Sequence, residues 1–214
     1  MPLGPLYPIL DAELAAARGH DLVACARGFA DLGIEVQQLR AKALAGGPFL
    51  RLAQALAHVV PLLIVNDRAD VALLAAAAGV HVGQGDLPAE AARGLGCARV
   101  GVSTHSLEQA RAAAAARPDY LAVGPVFSTT SKLKPDPVVG VQLIRQVRDM
   151  WPGTLVAIGG INLQNCSSVW QAGANAVAVI SALWDAADPV AVARQFQLAF
   201  EQVSCHIPQE RPAF

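Results

Sequence analysis

PLLIVNDRADVALLAAAAGVHVGQ, residues 61–84, holds two short apolar runs, PLLIVND (61–67) and GVHVGQ (79–84), on either side of an alanine- and leucine-rich segment. Both runs are apolar on both faces, which is how strands read when helices cover the two sides of a parallel sheet. The segment between them has the apolar spacing and the alanine content of a helix packed close against its neighbour. The unit is therefore strand, helix, parallel strand.

Working outward in both directions, the same unit recurs. The expected strands are LYPILD (near 5–11), EVQQLR (35–40), the two runs just quoted, RVGVST (99–104), YLAVGP (120–125), LVAIGG (155–160) and AVAVIS (176–181). Between them lie DLVACARGFADL, PFLRLAQALAHVV, SLEQARAAAAA and VVGVQLIRQVRDM, all with apolar spacing near that of a helix turn. Strict alternation of eight strands with eight helices favours a closed (β/α)8 TIM barrel, a single-domain α/β fold, over an open sheet. The 214 residues suffice for one such barrel and are short for two domains. We expect residues 1–203 to form one catalytic domain and 204–214, SCHIPQERPAF, a C-terminal tail. Asp70, Ser106 and Asp188-Pro189 are expected to open helices, as caps and a first-turn proline do.

Composition removes several classes of function. Sixteen basic against seventeen acidic residues, with no basic stripe, argue against nucleic acid as the ligand. The longest apolar candidate, VALLAAAAGVHVG (71–83), is too short for the roughly 18–20 residues that span a membrane. Cys25, Cys97, Cys166 and Cys205 are scattered without metal-ligand spacing and read as reduced thiols. The N-terminal MPLGPLYPILDAEL lacks the basic region and long apolar stretch of a signal peptide. A cytoplasmic protein is the expectation.

Nearly every polar or glycine-rich cluster falls at the carboxyl end of an expected strand. These are Gln38, Arg40 and Lys42 after the second, Asn66-Asp67 after the third, Gly83 to Asp86 after the fourth, and Ser103 to His105 after the fifth. Thr129-Thr130-Ser131-Lys132 lies in a long connection, VFSTTSKLKPDP (126–137), after the sixth, Gly159-Gly160 after the seventh and Ser181 after the eighth. Any one could be an ordinary turn, since these residue types belong in turns. Seven on one rim point to an active site, because a barrel does its chemistry at the face where those ends converge.

Charge is distributed unevenly around that rim. Arg40, Lys42 and Lys132 are cations, Asp67 and Asp86 anions, a set suited to a diphosphate with Mg²⁺, which takes few hard oxygen ligands and keeps phosphate and water as the rest. Asp67 could instead pair with Arg68 or Arg40, and Asp86 could cap the helix expected at Leu87-Pro88. IGGI (158–161) and VISAL (179–183) offer free backbone amides at the strand ends where barrels bind a monophosphate. Two phosphorylated ligands on one rim suggest a transferase that joins them. His20 and His58, placed in helical segments, and Trp151, Trp170 and Trp184 read as packing residues, His81 as occupying an interior hydrogen-bonded niche, and His105 as a cap or a ligand-orienting group.

QLRAK (38–42), VNDRADVAL (65–73), GVHVGQGDLP (79–88), GVSTHS (101–106), GPVFSTTSK (124–132), AIGGI (157–161) and AVAVISAL (176–183) together resemble the successive signatures of thiamine phosphate synthases, over roughly residues 5–200 and in the right order. The resemblance implies condensation of hydroxymethylpyrimidine diphosphate with thiazole phosphate, with Mg²⁺ as cofactor and pyrophosphate released. It implies that Gln38, Arg40, Lys42, Asn66, Ser103 and Lys132 hold the pyrimidine diphosphate, with Lys132, Ser103 and Arg40 as catalytic groups. It further implies metal binding by Asp67 and Asp86, and thiazole phosphate binding by Thr129, Thr130, Ser131, Gly160, Ile180 and Ser181. In that family the bond to diphosphate breaks first and the thiazole nitrogen traps the cation. Such chemistry needs a stabilised leaving group and two reactants in register rather than a strong base.

The chain departs from the family pattern in four places. Ser131 stands for a usual threonine, Ala78 and Asn175 for aspartates on the opposite face of the barrel, and Leu10 for a threonine of the first strand. Related thiazole tautomerases share the barrel, but some carry a histidine where this chain has Pro125 and many lack the carboxylate pair. A phosphate-binding protein without turnover, or another phosphate-binding barrel isomerase, explains fewer of the motifs.

Overall fold

Eight parallel strands close on themselves in chain order: β1 (Leu6–Asp11), β2 (Val36–Arg40), β3 (Leu62–Asn66), β4 (Gly79–Val82), β5 (Val100–Thr104), β6 (Tyr120–Val123), β7 (Thr154–Ile158) and β8 (Ala176–Val179). The seam is the β1–β8 pair, with Leu6 beside Val177 and Pro8 beside Val179. The computed structural model describes residues 3–129 and 136–205. Around the barrel run α1 (Ala12–Ala17), α2 (Leu22–Asp31), α3 (Gly46–Ala57), α4 (Ala69–Leu74), α5 (Ala89–Gly94), α6 (Leu107–Ala115), α7 (Gly140–Met150), α8 (Cys166–Gln171), α9 (Ser181–Trp184) and α10 (Pro189–Ser204). The barrel is thus the (β/α)8 fold, with α1 and α9 as short additions at the ends of β1 and β8. No helix among the described residues is long and apolar enough to cross a membrane.

Successive side chains on a strand point to opposite faces, and this alternation divides the apolar residues into two cores. Tyr7, Ile9, Val36, Ile64, Tyr120, Ala122, Val156, Ala176 and Ala178 fill the barrel interior. Their neighbours Leu6, Leu10, Leu39, Leu63, Val65, Leu121, Val123, Val177 and Val179 face outward into a much larger core shared with the helices. Gly101 is where this packing is tightest. A Cβ there would lie 2.0 Å from Cζ of Tyr120, so the tyrosine ring occupies the space a side chain at 101 would need.

Four strands end two residues before the sequence pattern suggests: GVHVGQ, YLAVGP, LVAIGG and AVAVIS read as strand throughout, whereas β4, β6, β7 and β8 stop at Val82, Val123, Ile158 and Val179. The surplus residues turn away from the sheet at the rim, and the last of them, Ser181, opens α9. Ser106 and Asp188 cap α6 and α10 as expected, through bonds from the amides of Gln109 and of Val190 and Ala191. Asp70 does not cap. The α4 cap is Arg68, and Asp70 lies in the first turn, paired with the Arg68 guanidinium.

The amino-terminal end of the barrel is held by polar contacts of its own. Arg148 of α7 donates to the carbonyls of Gly173, Trp151 and Gly153 and, at 2.6 Å, to Oδ1 of Asn175, which also accepts from the Leu155 amide. Asn175 therefore performs the acceptor task there with an amide oxygen in place of a carboxylate. His20 lies between α1 and α2, outside a helix, with Nε2 3.1 Å from the Trp184 carbonyl. Trp184 is fully buried and donates to the Ile9 carbonyl, as a packing residue whose one polar atom is satisfied.

Candidate active site

Strand β2 delivers Gln38 and Arg40 to the interior because they are alternate residues on its inward face. Asp11, the last residue of β1 and register partner of Arg40, is 4% exposed and pairs with the Arg40 guanidinium through Oδ2. Its Oδ1 caps α1 by accepting from the Leu14 amide at 2.9 Å. One buried carboxylate thus fixes both the arginine and the turn that follows β1. Two residues further on, Glu13 accepts from the Ala43 amide at 2.9 Å and pins the loop that carries Lys42.

Strands β3 and β4 supply the acidic side. Asp67, directly after β3, has φ of 63°, a left-handed conformation that few residues other than glycine adopt and that clusters at functional sites. Its amide donates to the His81 carbonyl at 2.8 Å, so the turn is held by a continuation of the β3–β4 ladder. Burial pushes the Asp67 carboxyl above its ordinary value; Lys42, 3.2 Å away, opposes the rise and the neighbouring Asp86 adds to it. Lys42 is therefore the partner of Asp67, in place of the Arg68 or Arg40 considered from sequence: Arg68 turns to Asp70 and Arg40 to Asp11. Asp86 does not cap the following helix either. Pro88 occupies that cap, and Oδ2 of Asp86 accepts from the Gly83 amide at 2.8 Å, closing its own loop.

Two carboxylates close enough to perturb one another, one of them paired with Lys42, suit a divalent cation. Among the described residues no cluster of three or more His, Cys, Asp or Glu side chains could hold a metal. A metal here would rest on this pair and on oxygens brought by the ligand, which is how Mg²⁺ is usually held with phosphates.

Across the mouth, the turn after β7 packs against the loop after β6. Gly159 and Gly160 have φ of 102° and 63°, and a Cβ on Gly160 would meet the Ser128 carbonyl oxygen at 2.3 Å. Only glycine lets these two loops approach so closely. Their positions bring Thr129, Gly160, Ile180 and Ser181 to one side of the opening.

One cavity of about 400 Å³ at the carboxyl-terminal mouth is lined by Gln38, Arg40, Lys42, Asn66, Asp67, Asp86, Ser103, Thr129, Gly160, Ile180 and Ser181. All the site residues expected from sequence that fall within the described chain meet there. Thr130, Ser131 and Lys132 lie outside the described residues. A second hollow of about 310 Å³ adjoins the first on the β7–β8 side, sharing Thr129, Gly160, Ile161 and Ser181 and extending to Asn162 and Asp185. The mouth therefore has two compartments, one rich in charge and one lined by glycine backbone, hydroxyls, Asn162 and the Asp185 carboxylate, which Arg18 pairs.

Sequence reasoning passed over Tyr7 and Tyr120. Both are almost wholly buried, and they meet at the cavity floor with hydroxyls 2.9 Å apart. A tyrosine in a strand is unremarkable by composition; only its inward parity beside Gln38 and His81 would have marked it. His81 does occupy an interior niche as expected, between Tyr120 and Ser103. His105 is not a side-chain cap: its Nδ1 bonds the Gly124 carbonyl, and its Nε2 lies 3.6 Å from Asp136.

Comparison with known proteins accords with this geometry. Residues 6–183 match the family model described as thiamine monophosphate synthase. A thiamine-phosphate synthase from Koribacter versatilis is 43% identical over 190 residues, covering 86% of this chain and 90% of that one. Another from Anaeromyxobacter dehalogenans is 44% identical over 204 residues, covering 93% and 89%. The solved thiamine phosphate pyrophosphorylase of Pyrococcus furiosus superposes with a TM-score of 0.83 at 31% identity, over 93% of this chain and 96% of that chain. The chain belongs to the thiamine monophosphate synthase family.

Proposed function

We propose that this protein is a thiamine-phosphate synthase, a transferase that joins a pyrimidine diphosphate to a thiazole phosphate and releases pyrophosphate. The observation that carries the reading is the two-part mouth, with cations and paired carboxylates on one side and the glycine turn of β7 with the start of α9 on the other. Arg40, held in place by Asp11, and Lys42 would bind the diphosphate, with Lys132 and Asn66 completing its shell. Gln38 and Ser103, lower in the cavity, would hold the pyrimidine ring. Thr129, Thr130, Ser131, Gly160, Ile180 and Ser181 would hold the thiazole phosphate.

Asp67 and Asp86 would hold Mg²⁺, which when bound offsets charge on the departing diphosphate. The remaining chemistry falls to the chain. Fixed cations stabilise the leaving group, the cavity wall of Ile9, Ala122, Val156 and Ala178 shields the cation from water, and the two compartments set the thiazole nitrogen beside it. Ser103 and His81 meet at 2.8 Å in the lining, and a dissociative route needs neither as a nucleophile or its base. We further propose residues 1–203 as the single catalytic domain with a short tail from 204. We propose a cytoplasmic location, in keeping with the four free cysteines.

A thiazole tautomerase on the same barrel is the competing reading. Retention of Asp67 and Asp86 and the presence of Pro125, which cannot carry a proton, weigh against it. The test is turnover of both substrates with Mg²⁺, run beside a tautomerase assay. Thiamine phosphate and pyrophosphate should form only with both substrates and the ion present. Tautomerised thiazole without condensation would overturn the proposal.

A further inference from the structure

Beneath the charged mouth, five side chains from five strands form one line of hydrogen bonds across the barrel. Gln38 of β2 donates through Nε2 to the Tyr7 hydroxyl of β1 at 3.0 Å. Tyr7 meets the Tyr120 hydroxyl of β6 at 2.9 Å, and Tyr120 meets Nδ1 of His81 on β4 at 2.9 Å. Nε2 of His81 lies 2.8 Å from Oγ of Ser103 on β5. Tyr7 and Tyr120 are 1% and 0% exposed, Gln38 and His81 5% and 7%. Water has little access to redirect these protons.

The protons in such a line can be assigned from its first member. An amide nitrogen only donates, so the Tyr7 oxygen accepts from Gln38, and giving its own proton to the Tyr120 oxygen is the arrangement that leaves no proton of the line unpaired. The Tyr120 proton then goes to Nδ1 of His81. A neutral imidazole that accepts at Nδ1 carries its proton on Nε2, so His81 donates to Ser103. The proton of Ser103 is left for the cavity, and Gln38, with one N–H engaged by Tyr7, leaves its carbonyl oxygen for a ligand.

We propose that Tyr7, Tyr120 and His81 are positioning residues that form a one-way relay, making Gln38 a hydrogen-bond acceptor and Ser103 a hydrogen-bond donor toward the ring of the substrate. The relay rests on the function proposed above and specifies how that cavity selects its ligand. An aminopyrimidine offers an exocyclic N–H for Gln38 and a ring nitrogen for Ser103. The oxo ring of the same shape sets its carbonyl against the Gln38 carbonyl, and its ring N–H takes away the acceptor for the Ser103 proton. A site built to bond a particular group rejects its mismatched analogue strongly, because the buried partners are left unpaired.

The test reads the His81 tautomer in protein labelled with ¹⁵N-histidine and free of substrate, by long-range ¹H–¹⁵N spectra. His81 should carry its proton on Nε2. Gln38→Glu has nearly the same shape and, ionised, only accepts, so Tyr7 must donate to it and every bond of the line reverses. His81, three links away, should then carry its proton on Nδ1. In the double variant Gln38→Glu/Tyr7→Phe the link is cut and the parent tautomer should return. An unchanged tautomer in Gln38→Glu, or a reversal that persists without the Tyr7 hydroxyl, overturns the relay. These readings need no turnover, so they fail or succeed independently of the proposed activity. In the turnover assay, kcat/KM for the 4-oxo analogue of the pyrimidine diphosphate should fall by roughly 10³-fold or more. Use of that analogue within tenfold of the amino substrate overturns the selectivity.

Discussion

His81 should make the protein sensitive to mild acid. Its imidazole sits between Tyr120 and Ser103, and burial pushes it down to about 4, while the Asp86 charge offsets part of that shift. An unfolded chain binds the same proton at about 6.5. Above that value neither state is protonated and His81 has no effect on the pH dependence of stability. As the pH falls from about 6.5 toward 4, the unfolded chain takes up a proton that the folded protein refuses, so stability drops. Each pH unit in that window costs about 1.4 kcal/mol, which gives about 2 kcal/mol by pH 5 and about 3 kcal/mol by pH 4. His81→Gln removes the titrating group and leaves the other acid-sensitive residues in place. Urea unfolding at pH 7 and pH 5 should therefore show the parent midpoint falling further than that of the variant. With a urea slope of about 2 kcal/mol per molar, the extra fall is on the order of 1 M. In the parent, the His81 ring proton followed by NMR should not titrate between pH 7 and 5. A parent–variant difference that does not change with pH, or a His81 midpoint near 6.5, would refute the reasoning.

Other substitutions test the site and the floor beneath it. Lys132→Met should leave the circular dichroism spectrum intact and lower kcat on the order of a hundredfold, as loss of one donor to a developing charge does; near-normal turnover would exclude that role. Asp67→Asn and Asp86→Asn should each raise the Mg²⁺ concentration for half-maximal activity, and the double variant should be nearly inactive, whereas thiazole phosphate affinity should hold. Unchanged Mg²⁺ dependence in both single variants would make the carboxylates structural partners of Lys42 and Gly83. Gly101→Ala should cost about 3 kcal/mol or more in urea unfolding, since its Cβ meets a fully buried Tyr120 ring at 2.0 Å; parental stability would show that the ring can move.

The barrel was legible in the sequence because its signal is periodic and repeated. Residues 61–84 alone contain a strand, a helix and a second strand, and eight such units leave few topologies. The rim was legible for a related reason: Arg40, Asn66 and Asp67 interrupt apolar runs at the ends where a barrel places its ligands. The pairings were not. Asp67 stands directly before Arg68 in the sequence, yet at a left-handed turn it meets Lys42 instead. The Tyr7–Tyr120 contact joins residues 113 positions apart, and depends on the stagger with which β1 and β6 face one another across the lumen. No local pattern carries that stagger.

The Arg148 clasp at the opposite end bears on how this chain can change over evolutionary time. A strand of five residues is about 16 Å long, beyond the range at which two substitutions usually affect each other's energies. Losses or gains in the bonds from Arg148 to Gly173, Trp151, Gly153 and Asn175 are therefore expected to add to changes at the mouth rather than interact with them. Such changes alter how much of the protein is folded and leave the rate of each folded molecule alone. Asn175, whose amide oxygen accepts two hydrogen bonds there, belongs to that end of the barrel. Stability and chemistry can drift separately in this barrel, and a clasp strengthened at one end leaves room for costly experiments at the other.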